Sequence, residues 1–181
     1  SYWNDPAFNA PSQPVVGICW FEARAYCRWL SAQSAQSFRL PTEAEWEAAA
    51  RGLEGRRYAW ENDYDKTRCN VLDTKLRRTT PVGVFPQGNT PVLFQGERTE
   101  GTALSDMTGN VWDWTGSCYT PYPYQPVDGR EDTEAEEVRV LRGGSWDGNP
   151  GFVRASARNS NHPDDRFSSI GFRVLCSSPI E

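Results

Sequence analysis

Helical periodicity in this chain stops at Gly52. Beyond it lie only short β-prone pieces, at 82–85, 111–114, 138–141 and 172–175, divided by loops rich in Pro and Gly. Such a pattern excludes a helical bundle and a sandwich of long strands. It leaves an α+β domain of two helices, small antiparallel sheets and much irregular loop. At 181 residues the chain is long enough for one core and short for two, so residues 1–181 read as a single domain. Hydrophobic residues make up only 38%, yet aromatics reach 13% with eight Trp. The expected core is therefore built from large rings and turn-shaped loops.

The two helices are marked locally. A β-like run at 15–18 leads into a helix over 20–31, with Ala23, Cys27 and Leu30 at helical spacing and Glu22, Arg24 and Arg28 turned outward. A polar connection at 34–38 follows. Thr42 then caps a second helix, Glu45 completes a capping box, and Glu43 and Glu47 favour the positive end of its dipole. Gly52 is the stop. Two loops look like local expansions, 86–101 and 120–137. The first carries Pro91-Val92-Leu93-Phe94-Gln95-Gly96, which resembles a protease recognition sequence used in expression work but reads first as a surface loop.

A net charge of −5 argues against nucleic acid as partner, since phosphate binding needs a basic surface. No apolar run reaches the ~18 residues a membrane span needs. The start at Ser1, with no initiator Met or signal peptide, reads as a processed or excised piece and leaves the compartment open. The five cysteines, Cys19, Cys27, Cys69, Cys118 and Cys176, are an odd number with no Cys-x-x-Cys pair. A zinc cage is not expected, and Cys27 and Cys176 read as buried free thiols.

Five ordered motifs carry a resemblance. They are Arg39-Leu40-Pro41-Thr42-Glu43-Ala44-Glu45-Trp46-Glu47, Thr80-Pro81-Val82-Gly83, Asp106-Met107-Thr108-Gly109-Asn110-Val111-Trp112-Asp113-Trp114, Arg142-Gly143-Gly144-Ser145-Trp146 and Gly171-Phe172-Arg173. Over about residues 15–176 the chain resembles the formylglycine-generating enzyme (sulfatase-modifying factor) family, which implies a C-type-lectin-like fold. Members usually have a further N-terminal strand and hairpin region. Independently of the family, Gly109, Gly143 and Gly144 suit positions of positive φ or close approach. Trp112, Trp114 and Trp146 offer apolar area with an N–H for a loop carbonyl.

The resemblance implies calcium held by Asp106, the Gly109 and Val111 carbonyls and Asp113, oxygen donors of the kind calcium takes. It also implies a second calcium site beginning at Asn70 and Val71, although the loop through Asp73, Thr74 and Leu76 lacks the acidic spacing. The family's oxidases bind copper with a cysteine pair shortly after the Gly-Gly-Ser-aromatic motif, as soft Cu(I) demands. Residues 146–158 hold no cysteine. Its iron-dependent sulfoxide synthases need several histidines, and His162 is the only one here. Neither copper nor iron, and no catalysis, is expected.

What remains is binding. Residues 142–173 alternate anchors (Trp146, Pro150, Arg154, Arg158, Pro163, Arg166) with small or polar residues. The segment resembles the variable region of diversity-generating retroelement proteins, where adenine-directed mutagenesis of AAC codons scatters residues over a ligand site. Codons ending in C exclude Lys, Glu, Gln, Met and Trp, and none of these occurs between Asp147 and Ser169. The expected variable positions are Asp147, Gly148, Asn149, Gly151, Phe152, Ala157, Asn159, Asn161, His162, Asp165, Phe167, Ser168 and Ser169. Phe152 and Phe167 are the aromatic anchors for a protein or carbohydrate ligand, and Arg154, Arg158 and Arg166 hold loops. A bacterial, phage or prophage origin is implied by the resemblance alone. Two other readings stand: an oxidase of the formylglycine-generating type acting on protein cysteine, and a non-diversified sensor or interaction module of a multidomain signalling protein.

Overall fold

The computed structural model describes residues 2–91, 103–125 and 127–177. Residues 92–96 of the protease-site-like hexapeptide lie outside them. Helix α1 (Trp20–Gln33) and helix α2 (Glu43–Arg51) flank the short strand β1 (Ser37–Arg39). Among the described residues, only single 3-10 turns come between α2 and β2 (Trp112–Cys118), which is followed by β3 (Arg139–Arg142), β4 (Arg158–Asn161), β5 (Ile170–Phe172) and β6 (Leu175–Ser177). One sheet has the order β4-β3-β2-β5, and β1 pairs with β6 in a second.

The helix ends obey the sequence. Thr42 Oγ1 accepts from Glu45 N at 3.2 Å, and Thr42 N donates to Glu45 Oε2 at 2.8 Å. Gly52 ends α2 at φ 60°, its N–H returning to Ala48 O. Helix α1 runs two residues past the expected end at Ser31, to Gln33. Strand β2 is buried at all seven positions because neighbours pair with both its edges and the helices cover it, Trp20 Nε1 donating to Thr115 O and Glu43 N to Ser117 Oγ. Two packed clusters meet around the sheet. One gathers Trp46, Tyr58, Trp60, Val71, Met107, Val153 and Ala155, and the other Trp20, Cys27, Leu40, Trp112, Trp114 and Ile170. Rings fill the space that aliphatic side chains fill in larger cores.

Several expectations are corrected. The run at 15–18 is no strand: it is tied through loops, Gly17 N donating to Phe167 O at 3.0 Å. Residues 82–85 form a turn, with Gly83 at φ 78°. Residues 172–175 divide between β5 and β6, with Arg173 and Val174 between them. The polar link at 34–38 contains the start of β1. The sheets are not wholly antiparallel, because β5 runs parallel to β2. Strand β4, reading Arg-Asn-Ser-Asn, has no apolar signal in the sequence. Cys176 is exposed, not buried, since it sits on β6 opposite Phe38 at the surface.

A candidate ligand-binding surface

The chain leaves β3 through Gly143 (φ 97°) and Gly144 (φ 76°). A Cβ on Gly144 would lie 2.3 Å from Val153 Cγ1 and 2.9 Å from Val153 Cα, so only glycine lets 144 and 153 approach. Beyond this point the segment is pinned by its backbone and by alternate side chains. Trp146 Nε1 donates to Ser168 O at 3.2 Å, and Trp114 Nε1 to Ile18 O at 3.3 Å, as expected of these rings. Gly148 O accepts from Leu72 N, Ala155 N donates to Arg57 O, Pro163 O accepts from Trp20 N and Ser169 O from Trp112 N. Val153, Ala155 and Pro163 are buried.

The arginines lock this frame to the helices. Arg158 Nε reaches Glu43 Oε1, and its NH2 donates to Glu43 Oε2 at 2.8 Å and to Thr120 O at 3.0 Å. Its guanidinium also stacks 4.5 and 4.4 Å from the rings of Tyr119 and Tyr122. Arg142, fully buried, pairs with Glu47 and donates to Ala157 O at 2.8 Å. Its Nε lies 3.3 Å from Glu43 Oε1 but off hydrogen-bond alignment. Glu43 and Glu47 are thus more than dipole-matching charges: Glu43 is fully buried and faces two guanidiniums. Arg166 pairs with Glu22, whose pKa that hydrogen bond holds below the ordinary carboxylate value. Arg154 donates to Gly151 O. All three arginines hold loops, as expected.

Between these anchors the expected variable positions divide by exposure. Asp147, Asn149, Gly151, Phe152, Asn159, His162 and Phe167 are open to solvent, Phe152 at 59% and Phe167 at 47%. Gly148, Ala157, Asn161, Asp165, Ser168 and Ser169 are half-buried. Asp147 accepts from Ser145 Oγ, and Asp165 Oδ2 caps His162 N at 3.1 Å. His162 stands at the surface beside Asp164, its Nδ1 3.6 Å from that carboxylate.

Asp106, Val111 and Asp113, three of the implied calcium ligands, line one cavity of about 130 Å³ together with Ser105, Asn110 and Arg173. Asp113 Oδ2 accepts from Trp46 Nε1 at 2.9 Å and from Arg173 Nε at 2.6 Å, while Asp106 Oδ2 accepts from Gly83 N. Burial pushes the Asp106 pKa up and the charge of Asp113 adds to this, against the Gly83 hydrogen bond and Arg173. Two carboxylates sharing a small buried space fit a hard cation, with Arg173 already meeting part of the charge. The Asn70–Val71 site does not fit. Thr74 Oγ1 bridges Asn70 Oδ1 and Val71 O at 3.3 and 2.5 Å, Asn70 Nδ2 is spent on Arg78 O, and Asp73 accepts from Tyr64.

The chain is 37% identical over 172 residues to the formylglycine-generating enzyme of Streptomyces coelicolor, covering 90% of this chain and 52% of that protein. It is 33% identical over 200 residues to the inactive C-alpha-formylglycine-generating enzyme 2 of mouse (Mus musculus), covering 98% and 56%. The chain therefore spans about half the length of the curated relatives it matches. Among solved structures, Treponema denticola variable protein 1 superposes with a TM-score of 0.69 at 22% identity, over 90% of this chain and 70% of that one. Architecture and likeness agree on the C-type-lectin-like fold of the formylglycine-generating type. With residues 4–178 matching the family described as "Sulfatase-modifying factor enzyme 1-like domain", the chain belongs to that family.

Proposed function

We propose that this protein binds a ligand through the exposed positions of 146–169, performs no catalysis of its own, and has this segment diversified by a retroelement. One observation carries the reading. Within a single stretch, Val153, Ala155, Pro163 and the arginine contacts hold the backbone, while Phe152, Phe167, Asn149, Asn159 and His162 face solvent. Two exposed rings supply contact area at low entropy cost, and Asn, Ser and Asp supply adaptable polar contacts for a protein or carbohydrate.

The chemistry of the family's oxidases lacks its parts here. No cysteine follows Gly144 until Cys176, and four of the five thiols are buried. Burial pushes Cys27 up to about 11 and Cys69 up to about 12, so neither is an activated thiolate.

Sequencing the flanking DNA tests the diversification. A reverse transcriptase and an adenine-rich copy of the segment are expected, and their absence leaves the non-diversified interaction module instead. Assay of the protein with a sulfatase-type cysteine peptide, Cu(I) and oxygen tests the rest: formylglycine formation overturns the non-catalytic reading. Calcium is proposed at Asp106, Asp113 and the carbonyls of Gly109 and Val111, bracing the loop that enters β2. Calcium at about 1 mM should raise the melting temperature of the wild type and not that of Asp106→Asn; no shift in the wild type removes the site.

A further inference from the structure

Between α1, residues 38–42 and the acidic loop at 131–133 lies a groove with no part in the 146–169 surface. Its volume is about 350 Å³, in the range of small-molecule sites. Trp20, Cys27, Phe38 and Leu40 give it an apolar floor, and Trp20, Cys27 and Leu40 are each no more than 6% exposed. Arg24, Arg28 and Arg39 stand on its rim, facing Thr133 and Glu131 of the acidic loop.

Two of the charged groups are already committed. Arg39 is bidentate with Glu45 at 2.6 Å on each arm, and Glu131 accepts from Ser117 at 2.8 Å and from Tyr124 at 3.0 Å. Arg24 and Arg28 are different. Their ion pairs, among the described residues, reach one carboxylate, that of Glu134. Glu134 is 75% exposed, and Arg28, itself 69% exposed, stands 3.7 Å from it. The Arg28 pair, this open to water, contributes little, whereas Arg24, only 19% exposed, bonds the same carboxylate directly. The loop thus sets the exposed Glu134 carboxylate on the two arginines that line the groove, and Arg24 also donates to Thr133 O at 2.7 Å and lies over the Trp20 ring.

We propose that this groove between α1 and the acidic loop is a second binding site, for a small molecule bearing one carboxylate on an apolar body, and that Glu134 occupies the place of the ligand's carboxylate until it is displaced. The apolar body lies against Trp20, Phe38 and Leu40, and the carboxylate pairs with Arg24 and Arg28. The site is separate from the 146–169 surface and does not depend on that reading.

Octanoate, octan-1-ol and acetate are the probes, titrated into the full chain and followed by amide shifts of Arg24, Arg28, Gly116 and Thr133. Octanoate should saturate with Kd on the order of 1 mM, with acetate and octan-1-ol at least about tenfold weaker. Glu134→Gln should tighten octanoate about threefold by removing the competitor. Arg24→Gln should weaken it about tenfold. Arg28→Gln, at an exposed position, should also weaken it and keeps the test valid if the Arg24 variant misfolds. The proposal is overturned by equal binding of octan-1-ol, by absence of saturable binding, or by an unchanged Kd in Glu134→Gln.

Discussion

Arg158 is where fold and surface meet. Its guanidinium satisfies a fully buried Glu43, lies under two tyrosine rings and stands next to Asn159, a position open to solvent. Removing one member of a buried pair leaves the other charge uncompensated. Arg158→Ala should therefore cost about 3 kcal/mol in urea unfolding, whereas Asn159→Ser should change stability by less than about 0.5 kcal/mol. The sequence made the recurrence of arginines in this segment plain. It could not show their partner, because Glu43 and Arg158 are 115 positions apart and Glu43 has a sufficient local explanation at a helix start. The glycines were legible for the opposite reason: positive φ at 109, 143 and 144 is a local property that residue identity reports directly.

At the scale of elements, what could be read was what is coded locally. The capping box of α2 is spelled by Thr42 and Glu45, and β2 and β3 by apolar runs. Strand β4 reads Arg-Asn-Ser-Asn, with no apolar alternation, since it is an edge strand anchored by Arg158 and not by a greasy face. The runs at 15–18 and 82–85 carry an apolar signal like that of a strand, but valines beside prolines also stand in loops, where Val15, Val82 and Val84 are exposed. The cap itself is testable. Arg39 holds the Glu45 carboxyl down to about 2, with the Thr42 N–H adding to the effect. A depressed folded-state pKa stabilises above the ordinary value and loses that stability as pH falls towards 2. Glu45 is 37% exposed, so screening limits the effect to about 1 kcal/mol or less. Denaturation between about pH 4.5 and pH 2 should show this loss in the wild type and a flatter profile in Glu45→Gln.

For the molecule as a whole, aromatic composition foretold a ring-built core, and Trp20, Trp46 and Trp114 are each at most 1% exposed within it. The cysteines were harder to place, because a thiol packs equally well inside a core or on a short surface strand. Thiol titration checks their placement: one group, Cys176, should react rapidly in the native protein, and all five after unfolding. The candidate surface was legible as a pattern of anchors and inserts. Its exact division was not, because half-burial of Gly148 and Asn161 depends on other segments, the N–H of Leu72 and the pairing of Asn161 with Arg139, and that of Ser168 on the indole of Trp146.

That division is the centre of the account, and one comparison of melting temperatures tests it most directly. A variant carrying Phe152→Ser, Phe167→Ser, Asn159→Ser and His162→Ser together should melt within about 3 °C of the wild type, while the single substitution Arg158→Ala lowers the transition by about 10 °C or more. A large drop in the fourfold variant would place Phe152 and Phe167 in the core and contradict the claim that these positions are free to serve a ligand.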